Sequence, residues 1–210
     1  MSEILTPQKR LERIVDTAYE ILCGKVASGS ITIENEAAFQ LQLSVILEQL
    51  GRLYELNEND HFNIFLEKAI TLNRPTLKSP KGNARCDIML ELQSTKGGDN
   101  AQIAIELKFL KKRMSGETIT TNRFNVICDI NNLEQYKQVS VITSIPGYEI
   151  VYTNNKNHTT GNSIIGNKAI LHGPHTHTAN GKQKSVTLNG SYQCNWDEYN
   201  NTHFFLKIKV

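Results

Sequence analysis

A chain of 210 residues with 39% hydrophobic and 21% charged residues has enough apolar material to bury a core and is too ordinary in composition for wholesale disorder. A net charge of +2 and a pI near 8.3 exclude a protein that binds nucleic acid by bulk charge, so any such surface must be local. No apolar run approaches the roughly 20 residues that cross a bilayer, and the N-terminus lacks the apolar core of a secretion signal; a cytoplasmic protein with no membrane partner is expected. One domain over residues 1–210 suffices for this length.

Residues 5–22 carry Leu11, Ile14, Val15, Ala18, Ile21 and Leu22 at helical spacing, which predicts an amphipathic helix ending near Gly24. Cys23, Cys86, Cys128 and Cys194 lie far apart and form no CxxC pair, so they are expected to be reduced and buried. A second helix is predicted over residues 35–50, with Phe39, Leu43, Ile46, Leu47 and Leu50 inward, Asn35 or Thr32 as cap and Gly51 as stop. The period then changes. Phe62, Ile64 and Leu66 alternate with other residues, and residues 84–92 and 102–109 are short apolar runs, so three antiparallel strands follow. Residues 73–83 connect the first two, and residues 94–100, with their Gly-Gly, turn the second pair into a hairpin.

Beyond Phe109 a basic, hydroxyl-rich stretch runs to about Thr121, and a helix is predicted over residues 129–139 with Ile130, Leu133 and Tyr136 along one side. Strand character returns at residues 149–152. Residues 154–184, rich in Asn, Gly, Thr and His, read as a loop or insertion, and a last strand covers residues 204–210. The order of elements fits the α/β class, a mixed central sheet flanked by helices.

Asp87 opens one predicted strand, and Glu106 and Lys108, two residues apart, share a face of the next. Two carboxylates and a lysine suit metal-assisted phosphodiester hydrolysis: the carboxylates hold a hard cation and the lysine positions or deprotonates the attacking water. The run Gln102-Ile-Ala-Ile-Glu106-Leu-Lys108-Phe109-Leu110 would otherwise be almost wholly apolar, and buried charges cost several kcal/mol each unless they pair or bind an ion. An exposed salt-bridged pair on an edge strand would give the same letters. Glu36 lies one turn from Gln40 on the side of the helix next to Phe39 and Leu43, within reach of the acidic pair, although Glu34 competes with it and a helix N-terminal glutamate is common.

Together, Glu36 with Gln40 on a helix, Arg85-Cys86-Asp87, and Ile105-Glu106-Leu107-Lys108 resemble the PD-(D/E)XK nuclease superfamily over roughly residues 30–155. Cys86 stands where that motif has proline. The resemblance implies a restriction-endonuclease-like αβββαβ core, Mg2+ (with Mn2+ able to substitute) held by Asp87 and Glu106 and joined by Glu36, and a catalytic Lys108. It implies an endonuclease on nucleic acid, DNA first, in the manner of restriction or defence enzymes; cutting both strands would favour a symmetric homodimer.

Gln40, Arg85, Lys111, Lys112 and Arg113 are the candidate nucleic-acid contacts, and Arg74, Lys78 and Lys81 could extend that basic cluster. Trp196 and Tyr199 could stack on bases, though core packing explains them more simply. His172, His175 and His177 have a spacing that can bind zinc or nickel, or they line a polar surface loop. The competing reading of the whole is a non-catalytic nucleic-acid- or partner-binding module that keeps the nuclease fold.

Overall fold

The computed structural model describes residues 5–94, 100–111, 116–139, 145–161, 163–179 and 181–210. It opens with helix α1, Pro7–Ala27, started by Pro7 and by the Thr6 hydroxyl, which accepts the Lys9 N–H at 3.3 Å. Helix α2, Glu36–Leu53, is capped by Asn35, whose side-chain oxygen accepts the Ala38 N–H at 2.8 Å. Gly51 does not stop this helix. A Cβ there would lie 2.2 Å from the Phe62 ring, so glycine is required for close approach between helix and sheet.

Strands β1 (Asp60–Thr71), β2 (Asn83–Ser94) and β3 (Ala101–Leu110) are successive antiparallel neighbours, as the alternation predicts. The predicted Gly-Gly turn between β2 and β3 lies in residues 95–99, outside the described residues. Helix α3, Gly116–Val139, crosses over to β4, Gly147–Thr153, which runs parallel to β3. Strands β7 (Trp196–Tyr199) and β8 (His203–Lys209) complete a mixed, mostly antiparallel sheet of order β1-β2-β3-β4-β8-β7. The chain is therefore α/β, with helices on both faces of this sheet.

One face packs against α1 and α2 through Phe62, Ile88, Leu90, Ile103, Ile105 and Tyr152. The other packs against α3 through Cys86, Met89, Ala104, Leu110 and Val151. All four cysteines are free and buried. No described helix is long and apolar enough to cross a membrane.

Two further expectations need correction. Helix α3 begins at Gly116 rather than near residue 129, because its first turns, hydroxyl-rich and poor in propensity, gain from burying Phe124, Val126 and Ile127. Within the supposed loop at residues 154–184, a short 3-10 turn (Lys156–His158) is followed by strand β5, Ile170–Ala179. That strand pairs with β6, Lys182–Gln193, in an antiparallel hairpin whose Leu171, Val186 and Leu188 join the core beside α3.

Candidate functional site

The site is built around an irregularity in β1 and β2. Residues two apart on a regular strand share a face, yet Ile88 belongs to the core under α1 and α2 while Cys86 belongs to the core under α3. Strand β1 does the same between Ile64 and Ile70. The reversal falls where Glu67 adopts φ 52°, opposite Asp87 and between the pairs Leu66–Ile88 and Lys68–Cys86. A left-handed backbone at a residue with a Cβ stores roughly 1 kcal/mol of strain. Gln40 of α2 braces the break, donating from Nε2 to the Asp87 carbonyl at 2.7 Å and to the Glu67 carboxylate at 3.1 Å.

Freed from the regular alternation, the half-buried Asp87 accepts the Leu107 N–H of β3 on Oδ2 at 2.7 Å. Burial pushes its carboxyl up to about 6, and the charges of Asp129 and Glu36 add to the rise while the Leu107 N–H and Lys108 oppose it. Glu106 is only 2% exposed and accepts the Tyr136 hydroxyl of α3 at 2.7 Å. Burial holds its carboxyl well above the usual range, reinforced by Asp129 and then Asp87. The Asp87 charge contributes to the rise at Glu106, and the backbone N–H that Asp87 accepts belongs to Leu107, the residue between Glu106 and Lys108.

Lys108 reaches Glu36 of α2, its Nζ 3.0 and 3.1 Å from the two carboxylate oxygens, and stands 3.6 Å from Asp129 Oδ2. Burial alone would lower its basicity, but attraction to Asp129 and Glu36 outweighs this and raises it. Glu36 also accepts the Phe109 N–H at 3.3 Å, which ties the first turn of α2 to the end of β3.

Asp129 and Glu149 are the residues that sequence reasoning missed. Asp129 of α3 is fully buried and pairs with Lys78, from the connector between β1 and β2. Glu149 of β4 lies opposite Glu106 in the parallel register, is fully buried, and has no hydrogen-bond partner for either carboxylate oxygen. Burial holds its carboxyl well above the usual range, with Asp129 the next contributor. The signal was present in Val-Ile-Cys-Asp129-Ile and Tyr-Glu149-Ile-Val-Tyr, each a charge inside an apolar run like that around Glu106.

These groups offer carboxylate oxygens alone, the donor chemistry of magnesium and manganese rather than zinc. The two unpartnered oxygens of Glu149, and Asp129 Oδ2 with no hydrogen bond beside its ion pair to Lys108, fit a hard cation. Among the described residues, no three His, Cys, Asp or Glu side chains stand close enough together to hold an ion as they are arranged.

Of the nucleic-acid candidates, Gln40 is occupied at the break in β2, while Arg85 and Lys111 are exposed. Lys112 and Arg113 lie outside the described residues. Among the described residues the histidines form no metal-holding group: His172 bonds the Gly190 carbonyl at 2.8 Å on the solvent side of the hairpin, and His177 meets Thr121 at 2.9 Å and packs on Phe124. Trp196 is half-buried, its indole N–H donating to the Ile165 carbonyl at 2.6 Å, and half-buried Tyr199 packs edge-on against Phe205.

No protein-family model matches this chain, and no curated protein matches it. Among solved structures, the catalytic domain of human Nocturnin with bound sulfate anion is similar at a TM-score of 0.22 and 14% identity. The similarity covers 70% of this chain and 59% of that one, and at that level it bears neither on fold nor on function.

Proposed function

We propose that the chain is a metal-dependent endonuclease with a restriction-endonuclease-like αβββαβ core, hydrolysing phosphodiester bonds of nucleic acid, DNA first. One observation carries the reading. Asp87, Glu106 and Lys108 share a neighbourhood on adjoining strands, with Glu36 against Lys108, in an interior where unpaired charge is costly. The element order from α2 to β4, with an antiparallel β1–β2–β3 meander and a parallel β4 behind a crossover helix, supports this reading.

Asp87 and Glu106 would hold Mg2+ or Mn2+, with Glu36 at the rim. When bound, such an ion supplies Lewis-acid polarisation of a phosphoryl oxygen and a more acidic water. Lys108, kept protonated by Asp129 and Glu36, is a donor and positive charge for a phosphate oxygen rather than a proton acceptor. The Leu107 N–H fixes the Asp87 carboxylate, and the Tyr136 hydroxyl does the same for Glu106, so the two acids are oriented before substrate arrives.

Plasmid DNA incubated with Mg2+ or Mn2+ should be nicked or linearised by the wild-type chain and left intact by Asp87→Ala and Lys108→Ala. Equal cleavage by all three would remove this site from consideration. The non-catalytic module gains from the lack of a ready-made metal cluster among the described residues. Manganese binding that ignores both Asp87 and Glu106 would favour it.

A further inference from the structure

The proposed nuclease site accounts for Asp87, Glu106, Lys108 and Glu36, but not for the carboxylates behind them. Glu149 is buried completely with both oxygens unpartnered, and Asp129, equally buried, has an oxygen with no hydrogen bond. Buried polar atoms are almost always satisfied, so the two bare oxygens of Glu149 ask for a ligand, and Asp129 Oδ2 has only the Lys108 ammonium at 3.6 Å. The field of Asp129 acts on both Glu106 and Glu149, and that of Glu106 acts on Glu149, which stands beside it in the parallel register.

Charge points the same way. Behind the half-exposed Glu36, whose field solvent screens, stand the carboxyl groups of Asp87, Glu106, Asp129 and Glu149 and the ammonium groups of Lys78 and Lys108. With all of them ionised, the interior keeps two negative charges that one dication would cancel. Lys78 lies on a connector at the surface and its side chain is 36% exposed, so it can swing into solvent along its own alkyl stem.

We propose that Glu106, Asp129 and Glu149 form the deep wall of a divalent-cation site for Mg2+ or Mn2+, and that the Lys78 ammonium holds the cation's place and gives it up when the ion enters. This rests on the nuclease reading for Glu106 and extends it, because two ligands come from α3 and β4, outside the Asp-to-Lys motif. Lys78 is then an internal competitor that sets how much free cation is needed to load the site.

Mn2+ binding to the full chain, followed by calorimetry and by loss of the free-ion electron paramagnetic resonance signal, tests this in wild type, Lys78→Met, Glu149→Gln and Asp87→Asn. Lys78→Met should bind about ten-fold more tightly and Glu149→Gln about ten-fold more weakly, the scale of change seen when groups around a metal are altered. Wild-type affinity in Lys78→Met overturns the competitor. Weaker binding in Asp87→Asn with no change in Glu149→Gln overturns the deep wall and leaves the nuclease reading standing. The reverse pattern keeps the deep wall and removes Asp87, and no binding by wild type or Lys78→Met overturns both. Should Glu149→Gln fail to fold, Lys78→Met at the surface still decides.

Discussion

Asp87 carries a carboxyl that the folded chain prefers to keep protonated, and this has a consequence for stability. Its ordinary value is about 3.9, while in the fold burial moves it to about 6. Between these values the native state binds more protons than the unfolded state, so stability falls as pH rises from about 4 to about 6 and stays lowered above. Asn at this position still offers an oxygen to the Leu107 N–H without the charge. In chelator, Asp87→Asn should therefore be more stable than wild type at pH 7, by about 2 kcal/mol, and equal to it near pH 4. Urea unfolding at both values checks this; a variant less stable at pH 7 would mean that the carboxylate is held by favourable charge. Glu106 and Lys108 could be found in the sequence because they interrupt a strand whose other residues are apolar. Asp129 is inconspicuous in the sequence because a helix read as starting near that residue leaves its charge in no need of explanation.

At the scale of elements, the Glu134 carboxylate of α3 gathers a cluster of hydrogen bonds from the β5–β6 hairpin. Glu134, 5% exposed, accepts the backbone N–H groups of Asn189 and Gly190 at 2.9 and 2.7 Å, the Asn189 side-chain amide at 3.2 Å and the Tyr192 hydroxyl at 2.9 Å. Those donors cluster at the register shift of the hairpin, where the ladder between β5 and β6 skips. Glu134→Ala would leave several of them unsatisfied against the core, at a cost of about 3 kcal/mol. The effect should be local first: hydrogen exchange of residues 171–192 should accelerate while β2 and β3 keep their protection. Uniform acceleration through the sheet would show that the hairpin is not a separate unit. The same packing explains why composition hid these strands. Gly173, Pro174 and Gly181 signal turns, and most side chains of β5 and β6 face solvent, leaving only Leu171, Val186 and Leu188 to mark an inner side. Helix α3 was shortened for the opposite reason. Covered by the sheet and by the hairpin, it is buried nearly all round over residues 126–136 and shows little of the one-sided pattern by which helices are recognised.

Across the whole molecule, α1 is the brace of the sheet. Its Tyr19 hydroxyl donates to Asp197 of β7 at 2.6 Å, and Asp16 and Glu12 pair with Lys207 and Lys209 at the C-terminal strand. Those contacts reach solvent on at least one side and are individually weak. The strong link is at the other end, where Arg10 meets Asp60 at 2.6 Å with side chains only 5% and 0% exposed. Arg10 also donates to the Tyr54 carbonyl at 2.8 Å, and Asp60 accepts the Leu56 N–H at 3.0 Å, so the pair joins α1, the end of α2 and the start of β1. Sequence reasoning gave Asp60 no role, since a buried ion pair 50 positions apart leaves no local pattern. Asp60→Ala would strand the guanidinium in an apolar setting and should lower global stability by about 3–5 kcal/mol. Replacing Arg10 and Asp60 together by Met and Leu should recover most of that loss, because it removes the buried charge rather than exposing half of it. Denaturant titrations of the three chains decide the matter. A double variant no better than Asp60→Ala would mean that the backbone bonds to Tyr54 and Leu56, rather than charge pairing, hold α1 in place.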